Sequence, residues 1–314
     1  MNTETIEIFE QHRPSLMGLA YRVLGSVAEA EDVVQDTLIA WLGTRDDEIE
    51  NPQGWLTTVC VRKAVDVLKS ARHTRTSYIG AWLPEPMHTE NLDDPEAQLS
   101  LSESVTMAFM LVLERLAPKE RAAFLLHDVF EMDYADISKS LDVSENACRK
   151  LVSRARANVQ REETPRHAPP ERQDAFVDAF MTAVKTGTTE GLVQLLAEDV
   201  TLHADGGGKA TSINRKLAGR REVLAFITRV LGRYWQPGTV SEQELNSGRS
   251  LVVSANGVVD TVVTFGYTAD LTVNRIFITR NPDKLARITG NETPDEAPNE
   301  VPGESPDGTP AAMH

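Results

Sequence analysis

The chain has 314 residues, a formal net charge of −15 and 41% hydrophobic residues. That length predicts two or three domains rather than one small helical unit. An acidic balance argues against a protein that grips DNA alone, because phosphate neutralisation supplies most of such affinity. No apolar run is long enough to span a bilayer. The start, MNTETIEIFEQHRP, lacks the charged-then-apolar order of a secretory signal. Cys60 and Cys148 fall in separate helical patterns without metal-ligand spacing. They read as small buried residues rather than a disulfide, and a cytoplasmic location is expected. No cofactor signature is present.

Residues 4–72 carry helical periodicity. Phe9, Leu16, Leu19, Ala20 and Val23 form a first apolar stripe, broken by Gly25-Ser26. Ala28 to Leu42 makes a second helix. Asn51-Pro52 opens a third, with Trp55, Leu56, Val59, Cys60, Ala64, Val67 and Leu68 on its inner side. Gly80, Pro84, Pro86 and Pro95 then mark a linker, and helices are expected over 98–117 and 119–131.

Residues 134–157, YADISKSLDVSENACRKLVSRARA, read as a helix-turn-helix. Ile137 and Leu141 give the first helix its inner face. Asp142 sits where the chain bends, a place where Asp tolerates left-handed backbone. Ser144 is an N-cap. In the second helix Cys148, Leu151, Val152 and Ala155 form the buried stripe. Asn146, Arg149, Lys150, Ser153 and Arg156 take the opposite face, from which a helix in the major groove reads base edges and phosphates.

A Pro-rich linker over 162–170 follows, and then the texture changes. Residues 171–186, 189–197 and 220–234 read as helices. Residues 200–203, 242–245, 250–254, 261–267 and 273–279 read as strands, and 205–208 as a turn. Helices ahead of a run of strands predict an α+β domain with helices on one face of a sheet. From Gly290 onward Glu292, Asp295, Glu296, Glu300, Glu304 and Asp307 stand without Lys or Arg, a composition that predicts disorder. No internal repeat stands out.

DVVQDTLIAWL, PQGWLTTVCVRKAVDVLKSARHTR and SENACRKLVSRAR, in that order, resemble regions 2 and 4 of bacterial extracytoplasmic-function sigma factors. The linker segment WLPEP (82–86), with DGGGK (205–209) and NPDKL (281–285), resembles the subgroup that carries a fused SnoaL-like domain. The resemblance implies a multidomain chain. Two all-α sigma domains, a region 2 bundle (4–75) and a region 4 helix-turn-helix (98–161), would precede an α+β cone-shaped SnoaL-like domain (171–289). Linkers 76–97 and 162–170 and a tail from 290 to 314 complete it. Leu151, where many relatives carry a basic residue, and Asp142, in a slot often held by Gly, depart from the family pattern.

The resemblance also implies roles. Asp32, Gln35 and Asp36 would dock on the clamp coiled coil of the polymerase β′ subunit, and region 4 on the β flap. Arg62, Lys63, Asp66, Lys69 and Arg72 would capture the −10 element, where a flipped base needs hydrogen-bond partners and its backbone needs cations. Asp66 pairing with Lys63 or Lys69 on the helix surface is the alternative. Asn146, Arg149, Lys150, Ser153 and Arg154 would face the −35 duplex. In the subgroup the C-terminal domain replaces a separate anti-sigma factor. An intramolecular contact is therefore expected between Trp82, Leu83, Pro84 and Glu85, on one side, and two motif clusters on the other. The first is Asp205, Gly206, Gly207, Gly208 and Lys209; the second is Asn281, Pro282, Asp283 and Lys284.

The pocket of the SnoaL-like domain is a candidate for a small-molecule ligand. Asp205, His203 and Asp260 are candidate bases by residue type, although the glycines of 206–208 equally suit a tight loop approached by another domain; no enzymatic activity is expected. Two other readings compete. A ligand-sensing helix-turn-helix regulator would bind duplex DNA without polymerase, which the acidic charge disfavours. A ketosteroid-isomerase-like enzyme on a DNA tether would need a polar pocket with a poised base.

Overall fold

Helix α1 (Thr3–Leu24) stops where Gly25 turns to φ +71°, a backbone region that glycine enters without a Cβ clash. Ser26 then caps α2 (Val27–Leu42), accepting from Glu29 N. Asn51 caps α3 (Pro52–Thr76), its side-chain oxygen taking Gly54 N at 3.0 Å, with Pro52 in the first turn. The computed structural model describes residues 3–44, 49–76, 78–88, 104–161, 167–235 and 238–290. The acidic tail expected to be disordered lies outside these residues, as do 89–103 and 162–166.

The next helices are α4 (Met107–Leu113), α5 (Pro118–Phe124), α6 (Tyr134–Leu141) and α7 (Glu145–Arg161). Within the described part of the helix expected over 98–117, residues 104–117, helix α4 occupies Met107–Leu113. Thr106 caps α4 by accepting from Phe109 N at 3.3 Å, and the carbonyl of Val105 is taken by Asn246 instead of by a helical turn. The helix expected over 119–131 divides, because a π turn (Leu125–Val129) follows α5 and Phe130 N bonds back five residues to Leu125 O. Asp142 takes φ +49° and ends α6, and Ser144 accepts from Ala147 N to open α7. One continuous apolar cluster runs through α1–α7, from Phe9 and Trp41 to Leu126, Ile137 and Val152. Regions 4–75 and 104–161 thus share a core. Trp55 is half-buried against Trp41, and Cys60 and Cys148 are buried and unpaired.

The C-terminal unit opens with α8 (Pro170–Thr186) and α9 (Glu190–Leu195). Strand β1 (Leu196–Asp205) begins earlier than the helical periodicity of 189–197 predicts, because Leu196 pairs with Val273. After β2 (Leu217–Ala218) come α10 (Arg220–Phe226), a π turn (Ile227–Leu231) and α11 (Gly232–Trp235). Strands β3 (Thr239–Leu245), β4 (Gly248–Ala255), β5 (Val258–Tyr267) and β6 (Val273–Thr279) follow, then α12 (Pro282–Leu285). The sheet order is β2-β1-β6-β5-β4-β3; β1 and β6 are parallel and the other pairs antiparallel.

Successive strand residues point to opposite faces, and both faces of this sheet are covered. Leu251, Val253, Val263, Phe265, Ile276 and Ile278 join the helices of the C-terminal unit. Their neighbours turn the other way. Phe277 packs with Leu83, Met107 and Ala108, and Val252 and Val262 pack with Leu285 and Ile288. The sheet's second face therefore lies against α4 and the linker segment.

Gly266 of β5 leaves room for that approach: a Cβ there would stand 2.9 Å from Ala108 Cβ. Gly266→Ala should therefore lower stability by about 1–3 kcal/mol through overpacking, read as a fall in melting temperature. His203 of β1 alternates with the buried Leu202 and Ala204 and stacks near Phe277, ring centroids 5.9 Å apart. Burial, with Lys216, Arg275 and Arg115 nearby, pushes its pKa down to about 4. The folded state thus binds this proton less readily than the unfolded chain. The resulting stability is present above about pH 6.5 and is lost as the pH falls toward 4. In urea unfolding, His203→Gln should remove about 2 kcal/mol of the parent's acid-induced loss over that interval.

Candidate functional site

Residues 78–88 form an extended ribbon between the helical half and the C-terminal unit, and its polar groups are answered from both sides. On the C-terminal side stands Asp205, fully buried at the end of β1. Its Oδ2 accepts from Leu83 N at 2.9 Å and from Lys284 Nζ at 2.7 Å. Its Oδ1 accepts from Tyr78 OH at 2.6 Å and from Gly207 N at 3.0 Å. Lys284 also donates to Leu83 O, so one buried ion pair takes both backbone groups of Leu83. The Lys284 ammonium stands 4.2 Å from the Trp82 ring centroid, and Arg75 lies over the same indole at 3.7 Å. Burial pulls the Lys284 pKa below the ordinary lysine value, against the opposing pull of Asp205.

The two motif loops lock this arrangement. Asp205 O accepts from Arg280 N and Asn281 N, and Asn281 Nδ2 donates to Tyr78 OH at 2.8 Å. Gly207 takes φ +60°, and a Cβ there would fall 2.4 Å from Asn281 Nδ2; a Cβ on Gly206 would fall 2.3 Å from Ala210 O. Gly208 is exposed beside Ile79. Lys209 pairs with Asp283 at the surface, 2.5 Å apart, and Pro282 opens α12 with Asn281 as its cap.

On the helical side the ribbon is held by Glu85. Its N–H donates to Gly25 O at 2.8 Å. Its carboxylate accepts from Val27 N and Ser26 Oγ, and its carbonyl from Tyr21 OH. Burial raises the Glu85 pKa, although Val27, Ser26 and Arg287 oppose this. Trp82 closes over Gly25, where a Cβ would lie 2.8 Å from the indole, and Pro84 is buried. The sequence reading missed Tyr21, Tyr78 and Asn246, the last a hairpin residue whose side chain contacts the ribbon and two places in the helical half. Tyr78 was within reach of it, two residues ahead of the glycine that precedes WLPEP. Asn246 carried only a turn signal.

The residues assigned by resemblance to polymerase and DNA are distributed as follows. Asp32, Gln35 and Asp36 are exposed on α2, with the apolar Ile39 also exposed, and Arg287 of the C-terminal unit pairs with adjacent Glu31 at 2.6 Å. Lys63 pairs with Asp36 at 3.4 Å and Lys69 with Asp66 at 2.7 Å, the surface pairing weighed as the alternative for Asp66. The Arg72 side chain lies outside the described residues. Arg62 is exposed but bonded to α6: Nε donates to Ser140 O at 2.8 Å and Nη2 to Lys139 O at 2.5 Å. Those are carbonyls at the C-terminal end of α6, where a cation is favoured. Thr58 bonds Ser140 Oγ beside it, and Lys119 donates to Leu141 O. On α7, Asn146, Lys150, Ser153 and Arg154 are exposed, while Arg149 pairs with Glu145 and lies over Tyr134. Arg156, read onto the same face, pairs with Asp128.

A cavity of about 130 Å³ lies between the sheet and the α10–α11 helices. Ile213, Phe226, Leu231 and Trp235 line it, with Asp260 and Arg280 also on its wall, 3.2 Å apart. Of the three candidate bases only Asp260 reaches the cavity. Strand alternation turns His203 to the other face, and Asp205 is saturated by its four donors.

Comparison with known proteins agrees with the helical half. Residues 8–74 match the family model "Sigma-70 region 2" and residues 106–159 match "Sigma-70, region 4". The chain is 41% identical over 240 residues to the ECF RNA polymerase sigma factor SigJ of Mycobacterium tuberculosis, covering 76% of each chain. It is 31% identical over 196 residues to the probable ECF RNA polymerase sigma factor SigI of the same species, covering 62% of this chain and 67% of that one. The crystal structure of Mycobacterium tuberculosis SigJ superimposes with a TM-score of 0.69 at 32% identity, over 90% of this chain and 98% of that one. Helical sigma regions followed by a mixed, SnoaL-like sheet-and-helix unit are the architecture the sequence predicts. The chain therefore belongs to the extracytoplasmic-function sigma factors, the subunits that take RNA polymerase to promoters.

Proposed function

We propose that this sigma factor carries its own restraint, the C-terminal unit acting in place of a separate anti-sigma factor. The observation that carries the reading is the ribbon bound on both sides, Leu83 by Asp205 and Lys284, and Glu85 by Gly25, Ser26 and Val27. A linker held in this way cannot swing regions 2 and 4 to the separation that two promoter elements demand. Arg62 adds to the restraint. As a reader of the −10 element it must first leave the α6 carbonyls that it now caps.

In the open form Asp32, Gln35 and Asp36 meet the polymerase clamp, and region 4 the β flap. Arg62, Lys63, Asp66, Lys69 and Arg72 take the −10 strand. Asn146, Arg149, Lys150, Ser153 and Arg154 read the −35 duplex. Polymerase supplies the affinity that a chain of net charge −15 lacks. The cytoplasm is where such a subunit works. Activity then depends on how readily the ribbon is released.

Asp205→Asn leaves Lys284 buried without its counter-ion, a change that typically costs 3–5 kcal/mol, roughly, when the partner stays buried. Opening the contact relieves it. Runoff transcription on full-length protein with core polymerase should rise several-fold for Asp205→Asn and for Lys284→Met. Activity equal to the parent in both variants would sink the restraint.

The cavity on the sheet's inner face is the reading's input for a small-molecule signal. Its volume approaches the roughly 150 Å³ that accepts benzene in an engineered apolar core, so one ring or a short branched chain fits. Arg280 joins the cavity wall to the contact, because its own N–H holds Asp205 O at 2.7 Å. Phenol should raise the melting temperature saturably, and Val230→Trp, which fills the cavity, should abolish the effect. A shift that survives in Val230→Trp would place binding elsewhere.

A further inference from the structure

A hairpin tip is ordinarily solvated, since a buried turn strands backbone polar groups. The β3–β4 tip breaks that rule: Asn246 is 2% exposed and Ser247 3%. Both residues have positive φ, +51° and +56°, in the two-residue turn that joins Leu245 to Gly248. Such turns favour Asn first and Gly second, so a buried Ser in the second place is a strained choice.

The tip is inserted into the helical half. Asn246 Oδ1 accepts from Met87 N at 3.1 Å, and Asn246 N donates to Met87 O at 2.9 Å. His88 bridges antiparallel to Leu245, so the ribbon extends the hairpin edge. Asn246 Nδ2 donates to Tyr21 OH at 2.7 Å and to Val105 O at 3.0 Å. Tyr21 OH passes the bond on, donating to Glu85 O at 2.7 Å. One amide therefore touches α1, the ribbon and the residue just ahead of the α4 cap.

We propose that Asn246 is a positioning residue, a neutral latch that registers region 2, the ribbon and the start of region 4 against the C-terminal unit. The proposal rests on the restraint described above and assigns it a second fastener. The first is ionic and sits at Leu83. The second is uncharged, sits four residues along at Met87, and opens separately. No residue with a shorter side chain satisfies Met87 N–H, Val105 C=O and the Tyr21 hydroxyl together.

Asn246→Gly tests this in the full-length chain, because glycine keeps the turn's positive φ while removing the amide. Hydrogen exchange should quicken at least several-fold across 83–88 and 244–248 and stay at the parent rate in β5 and β6. In transcription, the core polymerase concentration for half-maximal activity should fall several-fold with the maximal rate unchanged, the signature of a larger competent population. A variant that merely unfolded would lose maximal rate. Tyr21→Phe, which removes one of the three Asn246 side-chain contacts together with the hydroxyl's bond to Glu85 O, should shift both readouts in the same direction. Parent-like exchange at 83–88, or a half-maximal concentration that does not move while Asp205→Asn is activated, overturns the latch and leaves the restraint standing. If Asn246→Gly and Asp205→Asn are both silent, the restraint itself falls.

Discussion

A buried carboxylate must have its charge and lone pairs answered, and much of this molecule is arranged around answering Asp205. The cation, Lys284, comes from the same unit, held beside it because Asn281 and Arg280 return their backbone N–H groups to the carbonyl of Asp205. Both members of the ion pair therefore belong to the C-terminal unit. Gly207 N donates from the same unit, and the ribbon supplies the other partners: Leu83 N–H to the carboxylate, Leu83 C=O to the ammonium, and the Tyr78 hydroxyl. A buried ion pair is poor evidence for stability but a demanding template, because any replacement must offer the same donors and acceptor at the same places. The charged pair thus acts as a socket for one peptide segment.

The second consequence concerns the sheet. A sheet with helices on one side would leave its other face to solvent, yet Phe277, Val252 and Val262 on that face are fully buried. Their cover comes from Leu83, Met107 and Ala108 and from α12. The C-terminal unit therefore carries an apolar face that the helical half completes. The same packing makes glycine at 266 a requirement of close approach rather than of backbone conformation.

The helical half is closed on itself by related physics. The last carbonyls of a short helix such as α6 lack intrahelical donors, and a guanidinium nearby is a natural cap. Arg62 fills that role, so a side chain suited to nucleic acid is engaged by region 4. The shared apolar core from Phe9 to Val152 makes this more than a surface touch. On α7, Asn146, Lys150, Ser153 and Arg154 are exposed, as are Arg62, Asp66 and Lys69 on α3. What sets Arg62 apart is its hydrogen bonds to the α6 carbonyls, not burial.

Local pattern determined a great deal here. The stripe of Cys148, Val152 and Ala155, the left-handed Asp142, the Ser144 cap and the strands around 250, 262 and 276 all follow from spacing and residue type, because helix and strand periodicity are local properties. Asp205 and Lys284 were legible as motif residues, but not as an ion pair. Tertiary structure decided the rest. Leu196 left its helix to pair with Val273, the face of the sheet that His203 shares was covered away from the cavity, beside Phe277, and the Val105 carbonyl went to Asn246. Asn246 itself carried only a turn signal, since nothing within a few residues of it announces that the turn will be buried. Each of these depends on a partner 70 or more residues away in sequence. A local period can name the face a side chain takes, but not what will be standing there.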